Sequence, residues 1–168
     1  MPRLICCSHK EFNDIMEKNG WSDSNIPSDC AFISIIGTPE CQKYYLKEDA
    51  PHWFKSEASG QVCNLEFDDI ARDEFTWNGI TFYGLSMEQA EKIVKFIDKN
   101  LGKNFYIHCR AGKSRSQGIV RYILDIYPDM YDSSDCREDN PCLTPNMDVV
   151  IKLKRSMWNE VLSQEKDR

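Results

Sequence analysis

The sequence predicts an α/β domain with a mostly parallel central sheet flanked by helices. Three observations point there. Short strand-like apolar runs alternate with stretches of helical period along the chain. The run "AFISIIG" (31–37) is continuously apolar and stopped by Gly37, Thr38 and Pro39, as in a strand buried on both faces. The strand-like "NFYIHC" (104–109) passes through a small-residue turn, Ala111 and Gly112, into a helical stripe of Ile119, Val120, Ile123 and Leu124.

The remaining elements follow in order. "RLICC" (3–7) reads as a first strand, and "KEFNDIMEKNGW" (10–21) as a short helix ended by Gly20. Residues 40–60 are polar, aromatic and proline-punctuated, and are expected to be irregular with short helical pieces. Tyr44, Tyr45, Trp53 and Phe54 in this stretch are expected in the core or as partial cover. "QVCNLEFDDI" (61–70) alternates as a strand ending in acidic residues, whereas "TFYGL" (81–85) is ambiguous. Ser86 with Gln89 forms a capping-box pattern ahead of Ala90, Ile93, Val94, Ile97 and Leu101, and Gly102 stops that helix. Thr144 followed by Pro145 reads as a cap with proline at the first helical position, opening a last helix through about residue 162.

The bulk properties narrow the class. With 168 residues, 41% hydrophobic and 29% charged, and with no repeat or linker, residues 1–168 read as one ordinary globular domain. The net charge of −6 argues against nucleic acid as a partner. Charged residues interrupt the N-terminal apolar run too early for a signal peptide, and no apolar stretch approaches the roughly 20 residues of a membrane span. A cytoplasmic protein without membrane insertion is expected. The eight cysteines (6, 7, 30, 41, 63, 109, 136, 142) are irregularly spaced and lack any C-x-x-C pair, which disfavours a disulfide framework and a zinc site. Only Cys136 and Cys142, in "CREDNPC", are spaced to close a small loop under oxidation.

The stretch "HCRAGKSRS" (108–116) carries the chemistry. A loop between a strand and a helix N-terminus aims backbone N–H groups at one point, and the helix dipole adds to them, making an anion site. Arg115, six residues after Cys109, carries a planar fork suited to two phosphate oxygens. Cys109 in that field is expected to ionise, placing a nucleophilic thiolate beneath a bound phosphoryl group for in-line attack. The Ser116 hydroxyl suits the second half-reaction, donating to the thiolate as water releases it from phosphorus. His108 is expected to orient the loop.

The pattern C-x-x-x-x-x-R followed by Ser, preceded by His and with Gly112 at the third intervening position, resembles the signature of cysteine-dependent protein tyrosine phosphatases. The size resembles the compact dual-specificity branch. The helix after the loop reads "SQGIVRYIL" rather than Ala-Tyr-Leu-Met, and no Trp-Pro-Asp-like tripeptide is present, so the resemblance is to an atypical member. It spans residues 61–127. It implies Cys109 as nucleophile, Arg115 as phosphate and transition-state clamp, Ser116 as the hydroxyl aiding breakdown of the intermediate, and Arg110, Ala111, Gly112, Lys113 and Ser114 as the cradle. It further implies an aspartate general acid on a loop upstream. Asp69, forty residues before Cys109, follows the strand at its carboxyl end and is preferred; Asp68, Asp73 and Glu74 are rivals.

The expected function is hydrolysis of phosphotyrosine in a phosphorylated protein, extending to phosphoserine and phosphothreonine, with no metal and no cofactor. Arg110 and Lys113 keep a second class open, namely a phosphoinositide, an inositol polyphosphate or an RNA 5′-triphosphate. They read more readily as solvated loop cations, which are common on protein surfaces. A catalytically dead phosphate-binding module, a rhodanese-type sulfur carrier and a purely structural thiol are the other readings. None of these explains Cys109, Arg115 and Ser116 together.

Overall fold

A computed structural model describes residues 1–44, 51–136 and 144–166. Four parallel strands form the sheet, in the order β1 (Leu4–Ser8), β6 (Asn104–Cys109), β2 (Cys30–Ile36), β3 (Val62–Glu66). Parallel pairing demands crossovers. These are made by α1 (His9–Asn19), α2 (Pro39–Tyr44) and α3 (Met87–Lys99), while α4 (Arg115–Ile126) and α5 (Met147–Lys166) complete the layers.

Strand alternation divides the interior in two. Ala31, Ile33 and Ile35 of β2, with Phe105, Ile107 and Cys109 of β6, face one side, in the core shared with α3, α4 and α5. Cys30 and Phe32 face the other, against Phe12 and Met16 of α1, Phe54 and Val62. Every residue of β2 is buried, as its continuous apolar run requires.

Local chemistry sets most of the element ends. Ser8 and Glu11 form a capping box at α1, and Gly20 closes that helix in the left-handed region at φ +65°. Ser86 and Gln89 do the same at the start of α3.

Four sequence expectations need correction or refinement. The strand expected over 61–70 stops at Glu66, because Asp68 is drawn into side-chain bonds with Thr38 and Asp69 lies on a loop. The ambiguous segment at 81–85 belongs to a separate antiparallel hairpin of β4 (Glu74–Trp77) and β5 (Ile80–Tyr83). Its turn, Asn78 and Gly79 at φ 49° and 76°, is the left-handed pair that two-residue hairpins favour. The last helix begins at Met147, capped by Asn146 instead of Thr144, and extends to Lys166. Of the four aromatics, Phe54 is core and Trp53 half-buried, but Tyr44 is exposed and stacks edge-on against Trp77 and Phe82. Tyr45 and Cys142 lie outside the described residues. Among the described residues no helix is long and apolar enough to cross a membrane.

Candidate active site

The loop from Cys109 to Arg115 lies at the carboxyl end of β6, where parallel sheets bind ligands. Gly112 makes the turn possible. Its φ is +67°, and a Cβ there would lie 2.5 Å from the carbonyl carbon of Cys7 and 2.7 Å from the Ser8 nitrogen. The loop is therefore folded directly onto the end of β1, and His9 N–H donates to the Arg110 carbonyl at 3.2 Å.

Cys109 sits at the floor, 3% exposed, with its Sγ 3.1 Å from Ser116 Oγ. Burial alone raises a thiol pKa. Here the Arg115 charge, the Ser116 hydroxyl and the backbone N–H groups of Ser116 and Ser114 outweigh it, and the thiol lies below its ordinary value. The other core thiols show the contrast: burial pushes Cys63 up to about 12 and Cys6 well up. Neither is a poised thiolate.

Arg115 is 5% exposed and donates from Nη1 to the Phe67 carbonyl at 2.7 Å. That bond fixes the guanidinium beneath the loop that follows β3. Ser114 stands at the N-cap of α4 yet makes no capping bond; its hydroxyl donates to Asp69 Oδ1 at 2.7 Å.

The adjacent aspartates are sharply different. Asp68 is 1% exposed, and its carboxylate accepts from Thr38 N–H (2.9 Å), the Thr38 hydroxyl (2.8 Å) and Tyr83 N–H (2.9 Å). It ties β2, β3 and the hairpin together. Asp69 is exposed at the pocket mouth, held by Ser114 and by Asn146 Nδ2 at 2.9 Å. Asp73 instead pairs with Lys152 at 2.8 Å and, like Glu74, does not line the pocket.

His108 is fully buried on the opposite face of β6, where Nε2 bonds Ser34 Oγ at 2.7 Å and that hydroxyl bonds His52 Nδ1 at 2.6 Å. The Phe12 ring packs on it with centroids 4.2 Å apart. Burial, then the neighbouring His9 and His52, hold His108 well below the usual histidine range. The ring is thus held between β2 and α1, away from the pocket lining.

These groups open into one pocket of about 640 Å³. Its floor is Cys109 and Arg115, its rim Arg110, Lys113, Ser114 and Asp69, and one wall is apolar, formed by Ile70, Phe75, Trp77 and Phe82. The sequence brought forward the floor and rim. The hairpin wall and Asn146 were missed; the Asn-Gly turn between "EFTW" and "ITFY" was the available signal for the first. For the second, the tripeptide "TPN" signalled only a helix cap, and that cap was placed two positions too early, at Thr144.

No family model matches the sequence, and no curated protein matches it. Among solved structures, the chain is similar to the crystal structure of PTPMT1, with 13% identity and a TM-score of 0.46 over 99% of this chain and 96% of that one. It is also similar to the Cydia pomonella PTP-2 phosphatase, with 17% identity and a TM-score of 0.48 over 92% of this chain and 85% of that one. The chemistry of the pocket therefore rests on the pocket's own residues.

Proposed function

We propose that the chain is a phosphatase that hydrolyses phosphate monoesters through a phosphocysteine intermediate, with phosphotyrosine of proteins as its principal substrate. The observation that carries this reading is the Cys109 thiol, lowered below its ordinary pKa, bonded to the buried Ser116 hydroxyl and set at the floor of a pocket that also holds Arg115 and an exposed aspartate.

The reaction runs in two steps. The phosphate enters with its oxygens toward the loop N–H groups and the Arg115 fork. The Cys109 thiolate attacks phosphorus, the P–O ester bond breaks, and the leaving oxygen takes a proton from Asp69. A water then attacks the phosphocysteine, giving its proton to the Asp69 carboxylate, while Ser116 donates to the departing thiolate. Inorganic phosphate leaves and the starting protonation is restored.

The apolar wall favours an aryl ester. Phe75, Trp77 and Phe82 offer aromatic contact to a phosphotyrosine ring seated over the loop. One observation favours a second reading. Arg110 and Lys113 both line the pocket, so a substrate with several phosphates, such as an inositol polyphosphate, would find cations beyond the first phosphate site.

The test is a comparison of kcat/KM across phosphotyrosine, phosphoserine and phosphothreonine peptides, phosphoinositides, inositol polyphosphates and a triphosphate RNA, in EDTA. The expected result is preference for phosphotyrosine, abolished in Cys109→Ser and weakened in KM by Trp77→Ala. Activity surviving Cys109→Ser defeats the mechanism; preference for a polyphosphate, lost in Lys113→Ala, selects the second reading.

A further inference from the structure

We propose that Asn146 is a positioning residue that holds the Asp69 carboxyl over the pocket and selects which of its oxygens delivers the proton; the inference rests on Asp69 being the general acid. Asn146 is 8% exposed and lies immediately before α5, seventy-seven positions from Asp69. Its side-chain oxygen accepts from the N–H groups of Asp148 (3.1 Å) and Val149 (3.4 Å), which caps α5. Its Nδ2 faces the opposite way and donates to Asp69 Oδ1 at 2.9 Å and to the Ile70 carbonyl at 3.3 Å. Two backbone donors on one side and two acceptors on the other leave a single orientation for the amide.

The backbone of the same residue grips the phosphate loop. Asn146 N–H donates to the Ser114 carbonyl at 3.1 Å, and Thr144 N–H donates to the Lys113 carbonyl at 3.2 Å. One residue thus joins the nucleophile's loop, the acid's loop and the start of α5. Gly118 in α4 permits that approach, since a Cβ there would lie 2.8 Å from the Asn146 carbonyl oxygen.

The residue type is specified by this double duty. Asp and Ser cap helices about as well as Asn, but neither offers an N–H on the far side of the cap; Gln has the donor but is a poor cap. With Ser114 and Asn146 both donating to Oδ1, the oxygen left to carry the proton to the leaving group is Oδ2. A carboxyl held at one oxygen presents the other in a fixed direction, the orientation that general-acid transfer needs.

The experiment measures kcat for a series of aryl phosphates whose phenols range from strongly to weakly acidic, in the wild type, Asn146→Asp, Asn146→Ser and Asp69→Ala. Both Asn146 variants keep an oxygen to cap α5, and thermal unfolding confirms that the fold is retained. Esters of the most acidic phenols need no proton, so their rates are expected to stay close to wild type in both variants. Esters of weakly acidic phenols are expected to slow on the order of 10-fold, a steeper leaving-group dependence in the direction of Asp69→Ala. Either substitution is expected to add little once Asp69 is Ala, because the acid it positions is gone. A uniform loss across all phenols, or none, while Asp69→Ala is steep, overturns the role of Asn146 and leaves Asp69 as the acid. A flat series in Asp69→Ala overturns the acid assignment itself, and the inference with it.

Discussion

Arg115 Nη1 and the carbonyl oxygen of Phe67 are 2.7 Å apart, so the guanidinium at the pocket floor is bonded to the loop that carries both aspartates. The loop bearing Asp69 is thereby referenced to the group proposed to hold the phosphate. Lysine at 115 keeps a charge but offers a point donor where the fork serves two partners at once. Arg115→Lys is therefore expected to lower kcat for an aryl phosphate about 100-fold or more, the scale of losing a fixed transition-state donor. Steady-state kinetics checks it. A loss of under about 3-fold would show that the fork is not needed.

The thiol of Cys109 makes a pH prediction with a definite sign. Burial opposes ionisation, and Arg115, Ser116 and the loop N–H groups more than offset it, so the folded-state pKa is depressed. The thiolate then persists to lower pH than in a free cysteine. Alkylation of Cys109 by iodoacetamide, followed by mass spectrometry, is expected to show a midpoint below the ordinary thiol value. Ser116→Ala removes one stabilising donor and should move that midpoint upward. It should also slow thiolate departure, producing a burst of phenol before steady turnover.

Stability should respond to acid through the histidine chain under the loop. His52 is lowered to about 4 by burial, then by Lys55 and His9, and His108 is lowered as well. Between the unfolded histidine value of about 6.5 and the folded value of about 4, the unfolded chain binds a proton that the folded chain does not. Stability is thus fully present above that window and falls as the pH drops through it. Thermal melts from neutral to acidic pH should show a declining Tm, with a shallower decline in His52→Asn. Parallel slopes for the two proteins would mean that His52 is not the linked group.

How much of this was legible in the sequence depends on the range of the interaction that fixes each feature. β2 and β6 were readable because burial on both faces leaves continuous apolar runs. That the loop from His108 to Ser116 gathers in one place was readable because Cys109, the turn glycine and Arg115 all fall within nine residues. The hairpin was not read because β4 is exposed throughout and shows no buried stripe to detect. Spacing alone could not separate Asp68 from Asp69, since what divides them is the Thr38 and Tyr83 donors that reach only Asp68. The Asn146 bond to Asp69 spans seventy-seven positions, and nothing local to "TPN" announces it.

Two glycines next to the site should respond very differently to an added methyl group. At Gly112 the Cβ would meet the backbone of Cys7 and Ser8 at 2.5–2.7 Å, and the residue must also hold φ +67°. Neither partner is a side chain able to swing away, so the loop itself has to move. A displacement of about 1 Å at a reacting centre can cost on the order of 100-fold in rate. Gly112→Ala is therefore expected to lose at least that in kcat and to lower the Tm. At Gly118 the helical conformation suits alanine, and the clash is with the Asn146 oxygen at 2.8 Å and the Val149 side chain at 2.9 Å. There it is the start of α5, at Asn146 and Val149, that has to give way. Gly118→Ala should fold, and its defect should grow with the pKa of the leaving phenol, because the displaced residue is the one bonded to Asp69. Kinetics on the two variants with an acidic and a weakly acidic phenol ester decides the matter. Equal losses on both esters in Gly118→Ala would mean that shifting α5 disturbs the phosphate loop more than the acid.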